Sequence, residues 1–154
     1  MPNTIECDVL VVGGGPGGST AATLLRKQGR HVVQLEKDRH PRFHIGESLL
    51  PSNLPIFDAL GVMEKVRALG VLKLGADFPS KEGNYQTFHF RRALGNTPPH
   101  AFQVKREEFD RMLFEHARES GVDARENVKV EKVELGGIGQ VVAYAKDAAG
   151  DELT

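Results

Sequence analysis

Residues 7–19 read CDVLVVGGGPGGS and residues 29–36 read GRHVVQLE, and the interval between these two stretches decides the fold. The run from Cys7 to Val12 is rich in β-branched residues and ends in glycines, as a short buried strand does. Residues 17–28 then carry Ala21, Ala22, Leu24 and Leu25 at helical spacing. Gly29 is their stop, because glycine accepts the left-handed backbone that closes a helix. Residues 31–36 return to strand composition. Strand, tight turn, helix and strand make a βαβ unit, whose crossover is right-handed and whose strands are parallel. The fold class is therefore α/β and Rossmann-like.

Beyond this unit the pattern is less regular. Pro41, Gly46, Pro51 and Pro55 punctuate residues 38–55. Helical periodicity returns with Leu54, Phe57 and Leu60, then Met63, Val66 and Leu69, across a break at Gly61. Residues 71–78 and 85–90 read as two strands joined by a turn at Gly83 and Asn84. Residues 105–120 read as a helix with Phe109, Met112, Leu113, Phe114 and Ala117 on or near one face and Gly121 as its stop. Strands at about 127–135 and 140–147 follow, joined through Gly136 and Gly137. After the turn-like Ala149, Gly150 and Asp151, Leu153 and Thr154 read as the start of one more strand. The expected architecture is a parallel βαβ sheet with an added antiparallel β-meander, incomplete at the C-terminus, because a strand cut at its start leaves an open sheet edge.

Composition narrows the partners. The 154 residues are 40% hydrophobic and 27% charged, the balance of a globular domain. With 20 basic against 21 acidic residues, no positive field is available to recruit nucleic acid, and none is expected as a partner. Apolar runs such as Val9 to Val12 are far too short to span a membrane. The single cysteine, Cys7, reads as a small core residue, and a reducing, cytoplasmic setting is expected.

Gly13-x-Gly15-x-x-Gly18 falls between a strand and a helix, the context that gives such glycines a steric meaning. The first permits a tight turn, the second lets the backbone approach a pyrophosphate, and the third lets helix and strand pack closely. The anion then meets free N–H groups and the positive end of the helix dipole. Glu36, closing the second strand, is placed to accept both hydroxyls of an adenosine ribose and to repel a 2′-phosphate. The candidate cofactor ligands here are Gly13, Gly15, Pro16, Gly17, Gly18 and Ser19, with Glu36 and its neighbour Lys37. This motif alone leaves FAD and NAD both open. The chain reads as the N-terminal part, residues 1–154, of an FAD/NAD(P)-binding domain.

A second stretch is more specific. Pro41-Arg42-Phe43-His44-Ile45-Gly46-Glu47-Ser48-Leu49-Leu50-Pro51, at this distance after the ribose acid, resembles the flavin-dependent halogenases and their relatives among FAD monooxygenases and geranylgeranyl reductases, which share the p-hydroxybenzoate hydroxylase fold. The resemblance extends through Gln103-Val104-x-Arg106 to the strand containing Val130. It implies that FAD is the cofactor and that Arg42 contacts its phosphates. It also implies that Ile45, Gly46, Glu47 and Ser48 line the flavin, that Gln103 and Arg106 hold its phosphate and ribitol region, and that Val130 offers backbone atoms to adenine. Taken alone, an arginine on a loop is more often solvated, and Glu47 fits either a general base or a residue that fixes backbone geometry. His40 and His44 lie four apart, but Pro41 forbids the helix that would make them metal ligands, and no metal is expected.

Lys73, in Val71-Leu72-Lys73-Leu74, has two readings. Strand alternation would put it on a solvent face opposite two buried leucines. Alternatively, the segment resembles the one that carries the essential lysine of halogenases, making Lys73 the catalytic candidate, with residues 71–100 an insertion toward the substrate side. The resemblance then implies that reduced FAD, delivered by a separate flavin reductase, reacts with oxygen to oxidise a halide ion to hypohalous acid. Lys73 would guide that acid to an electron-rich aromatic small molecule, free or tethered to a carrier protein. A hydroxylase or geranylgeranyl-type reductase on the same fold is the alternative enzyme, and a non-catalytic truncated fragment is the alternative of another class.

Overall fold

A computed structural model describes residues 3–81, 83–137 and 141–154. Residue 140, where one expected strand begins, lies outside the described residues. The chain divides into two compact units, one made of the residues up to Arg42 together with Asp110–Thr154, the other of Phe43–Phe109.

In the first unit, β1 (Val9–Val12), α1 (Pro16–Lys27) and β2 (Val32–Leu35) form the expected βαβ unit, with Val9 opposite Val32 and Val12 opposite Leu35 in parallel register. Pro16 stands at the first turn of α1, where its missing N–H costs no helical bond, and Gly29 (φ +85°) lets the chain turn back after the helix. The other side of β2 pairs in parallel with β7 (Asp123–Arg125), which follows α4 (Arg106–Glu119), giving the order β1-β2-β7. A central strand must hide both faces, and all four residues of β2 are buried, including Gln34. Val32 packs with Ala22 of α1, Phe114 and Ala117 of α4, Val122 and Ala124. Val33 and Leu35, on the opposite face, pack with Val128 and Ala145.

Those last two residues belong to the meander of β8 (Val128–Leu135), β9 (Val141–Asp147) and β10 (Glu152–Leu153), antiparallel in the order β10-β9-β8. The strand expected at Leu153 is thus present. Its register is fixed by backbone bonds from Ile5 N–H to the Thr154 carbonyl (2.8 Å) and from Thr154 N–H to that of Asn3 (3.1 Å).

In the second unit, α2 (Leu54–Leu60) and α3 (Met63–Leu69) are separated at Gly61 (φ +80°), as the periodicity implies. Leu54, Phe57, Leu60 and Val66 are buried there with Phe102, Val104 and Phe109, and the rings of Phe57 and Phe109 meet edge to face at 5.8 Å. The single strand expected over 71–78 is instead two, because its halves have different partners. β3 (Val71–Lys73) pairs with β6 (Ala101–Gln103), and β4 (Gly75–Pro79) pairs with β5 (Tyr85–His89), both antiparallel. Residues 71–100 therefore lie wholly inside this second unit.

Candidate functional site

The glycine loop connects β1 to α1, and each glycine meets a different constraint. Gly13 has φ +109°, a backbone that side chains disfavour. A Cβ on Gly18 would stand 2.2 Å from the Gly13 carbonyl oxygen, so helix and loop meet at a distance only hydrogen permits. A Cβ on Gly15 would meet only Arg42 Nη2, at 3.7 Å, and at Gly17 it would face open space. The space beside Gly15 thus faces a guanidinium and the N-terminus of α1, where helical N–H groups lack intrahelical acceptors.

Two residues outside the expected set hold this loop. Gly14 donates its N–H to Glu36 Oε2, and a Cβ there would lie 2.9 Å from both Glu36 Cβ and Phe114 Cδ2. Gln34, fully buried in β2, donates from Nε2 to the Gly13 carbonyl (3.0 Å) and to Ser19 Oγ (3.1 Å). A glutamine inside a four-residue apolar run is the signal that could have revealed it. Ser19 is turned inward, 1% exposed, with its hydroxyl toward the Gly14 carbonyl, so its side chain supports the loop from beneath.

Glu36 follows β2 and is buried. Its Oε2 accepts from Gly14 N–H and from Arg42 Nη2 (3.2 Å), and its Oε1 accepts from Asp38 N–H (2.9 Å). An ionised carboxylate has about four acceptor sites, so these three bonds leave it room for a further donor. Burial opposes its ionisation, but the N–H groups of Asp38 and Gly14 and the charges of Arg42 and His40 outweigh that, holding the carboxyl below its ordinary range. Arg42 Nε is buried and has no partner. A buried donor without an acceptor is costly, and an anion at the loop would satisfy it, so the residues present fit a diphosphate. Lys37 is exposed.

His40 is buried against the Phe114 ring (4.8 Å), and both its N–H (2.6 Å) and its Nδ1 (2.9 Å) engage Glu126 Oε1. It serves the core of the first unit, whereas His44 is exposed. Among the described residues no group of three or more His, Cys, Asp or Glu is placed to hold a metal. Val128 donates its N–H to the Glu36 carbonyl (2.9 Å), outward from the β8–β9 ladder. Backbone groups along a strand alternate with period two, so those of Val130 turn to the same edge of β8.

In the second unit, the segment around Ser48 runs beside β6. Glu47 accepts Val104 N–H at its carbonyl (2.9 Å), Leu49 donates N–H to the Phe102 carbonyl (3.0 Å), and Ser48 forms an antiparallel bridge with Gln103. Gln103 Nε2 reaches Glu47 Oε2 at 3.4 Å. Arg106 Nη1 donates to the carbonyls of Ile45 (2.9 Å) and Gly46 (3.5 Å), and Gly46 has φ +103°. Glu47, Gln103 and Arg106 therefore fix the backbone of the loop, while the Ile45 side chain is 84% exposed.

The two leucines expected to be buried beside Lys73 are not. Leu72 and Leu74 are exposed, at 57% and 59%, as is Val71 at 71%, and Lys73 between them is half-buried. Its Nζ donates to Ser48 Oγ and lies 5.3 Å from the centre of the buried Phe90 ring. The exposed leucines line a separate cavity of about 550 Å³ with His89, Arg91, Pro99 and His100.

Among the described residues no helix is long and apolar enough to cross a membrane. Residues 6–154 match the family model described as FAD binding domain. A tryptophan 2-halogenase of Chondromyces crocatus is 41% identical over 147 residues, covering 95% of this chain and 28% of the relative. A 1H-pyrrole-2-carbonyl-[peptidyl-carrier protein] chlorinase of Pseudomonas fluorescens is 34% identical, covering 92% of this chain and 35% of the relative. The structure of the myxobacterial chondrochloren halogenase CndH superposes with a TM-score of 0.88 at 38% identity, over 99% of this chain and 35% of that one. The chain thus spans about a third or less of the length of these three relatives. Together with the glycine loop, Glu36 and the unpartnered donor of Arg42, these matches establish that the chain belongs to the FAD binding domain family, with FAD as its cofactor.

Proposed function

We propose that the complete protein is a flavin-dependent halogenase acting on an electron-rich aromatic substrate, with Lys73 as the catalytic residue carried by this chain. The observation that carries this reading is the hydrogen bond from the Lys73 ammonium to Ser48, at the end of the Gly46 to Ser48 segment, with the flanking leucines exposed. The identities to halogenases over most of the chain support it.

The first unit would hold the ADP half of the cofactor. Gly13, Gly15, Pro16, Gly17 and Gly18 bring backbone to the diphosphate, Arg42 supplies its unpartnered donor, Glu36 takes a ribose hydroxyl, and the Val130 backbone faces adenine. In the second unit, Ile45, Gly46, Glu47 and Ser48 would line the flavin, their backbone held by Gln103 and Arg106. When bound and reduced, FAD supplies with oxygen the two-electron oxidation that turns chloride or bromide into hypohalous acid. The Lys73 ammonium would hydrogen-bond that acid and present its halogen to the ring, an orienting role that confines a reactive species and shortens the search for product geometry. Residues 71–100 would face the substrate.

The implied partners are a halide ion, a flavin reductase and an aromatic substrate, free or carried on a protein in the manner named for the pyrrole chlorinase. The test is product formation by the complete protein with FAD, a reductase and a panel of phenols, indoles and pyrroles, with and without bromide. Brominated product that disappears without bromide is expected. Hydroxylated product, or substrate reduced regardless of halide, would replace this reading with a monooxygenase or a reductase.

A further inference from the structure

We infer that Ser48 positions the Lys73 ammonium, making the serine hydroxyl a determinant of halogenation in its own right. The inference rests on the halogenase reading above and concerns how its lysine is aimed.

Val71 pairs with Gln103 and Lys73 with Ala101 across the β3–β6 ladder, while Gln103 also bridges to Ser48 on the other edge of β6. Residues directly opposite one another in an antiparallel pair share a face. Ser48, Gln103, Val71 and Lys73 therefore stand on one face, and Leu72 and Phe102 stand on the other. A lysine two strands away, diagonal to a serine on the same face, is within reach of its hydroxyl, and Nζ does donate to Ser48 Oγ.

Four backbone constraints fix the segment bearing Ser48: the Glu47 carbonyl with Val104 N–H, the Leu49 N–H with the Phe102 carbonyl, and Arg106 on the carbonyls of Ile45 and Gly46. Ser48 Oγ is thus a fixed acceptor, whereas the lysine stem has four rotatable carbons. The buried Phe90 ring, 5.3 Å from Nζ, restricts the ammonium from another side.

Charge decides why the anchor is a hydroxyl. An ammonium has three donors, of which Ser48 takes one, and among the described residues no carboxylate pairs with Lys73. Two donors and the whole positive charge remain for a negatively polarised ligand. A carboxylate at position 48 would hold the lysine as firmly but neutralise it. The serine therefore aims the ammonium without quenching it.

The experiment compares Lys73→Ala, Ser48→Ala and Ser48→Thr in the complete, FAD-loaded protein, using bromide and an aromatic that gives bromide-dependent product. The readouts are halogenated product per reduced flavin oxidised, KM for the aromatic, and flavin content. Ser48→Ala is expected to lower product per flavin by roughly 10- to 100-fold, the scale of an ångström-sized misplacement, with the loss in kcat rather than KM. Ser48→Thr, which keeps the hydroxyl, is expected to restore most of it. Parental yield from Ser48→Ala beside an inactive Lys73→Ala would overturn the role of Ser48 and leave the lysine reading standing. Equal losses in Ser48→Ala and Ser48→Thr would also overturn it, because the hydroxyl would then not be the cause. Parental yield from Lys73→Ala would remove the lysine reading and this inference with it.

Discussion

The half-buried Arg42 and the buried Glu36 form a pair in which one guanidinium nitrogen, Nη2, is satisfied by the carboxylate at 3.2 Å while another, the buried Nε, has no acceptor. A pair built only for stability would spend its donors on the carboxylate, since one unpaired buried donor costs about 1–3 kcal/mol. The same guanidinium lies 3.7 Å from where a Gly15 Cβ would stand. The pair therefore links the acid after β2 to the space beside the glycine loop, which is where a diphosphate would gain charge-assisted hydrogen bonds.

Gly15→Asp should abolish FAD retention. Its side chain would occupy the space facing Arg42 and set a negative charge against the phosphates. At about 4 Å and an effective dielectric near 20 such a repulsion is about 4 kcal/mol, on the order of a thousandfold in affinity. Flavin absorbance of the purified variant measures this, with circular dichroism to show that it has folded. Stoichiometric flavin in a folded variant would refute the placement.

Gly18→Ala should destabilise the fold itself, because the new methyl would stand 2.2 Å from the Gly13 carbonyl. Overpacking of this kind costs about 1–3 kcal/mol or more. Gly17→Ala, with open space around its Cβ, is the matched control and should be neutral or slightly stabilising. Urea denaturation of both variants without cofactor reports the difference, and equal midpoints would show that α1 does not pack onto the loop this closely.

Stability should fall in acid. The carboxyls of Glu36 and Glu126 are both held below their ordinary value of 4.5. For Glu126, burial opposes ionisation, and the His40 N–H, the His40 ring and Arg118 together outweigh it. A carboxyl whose folded pKa is depressed contributes stability that is complete above its unfolded pKa and lost as pH falls through the folded one. The melting temperature should thus be level from neutral pH to roughly pH 5 and drop below it. Glu126→Gln should make that drop shallower, and an identical profile in the variant would show that the His40–Glu126 contact adds nothing.

The sequence by itself determined the βαβ unit, the position of the phosphate loop and the acid that follows β2. These are local matters: strand, turn and helix announce themselves by period, and Gly13, Gly15 and Gly18 are steric requirements at fixed spacing. Three findings needed the tertiary structure. β7 is a three-residue strand with one buried alanine, and only pairing with β2, some ninety positions earlier by sequence number, makes it a strand. Gly14 and Gln34 act on the loop through Glu36, Gly13 and Ser19, contacts set by packing of β2 beneath α1. For Lys73, alternation correctly separates the lysine from its two leucines but cannot say what either face meets. Ser48, on the far edge of β6, offers the lysine a hydroxyl and Phe90 an aromatic ring, while Leu72 and Leu74 stay exposed.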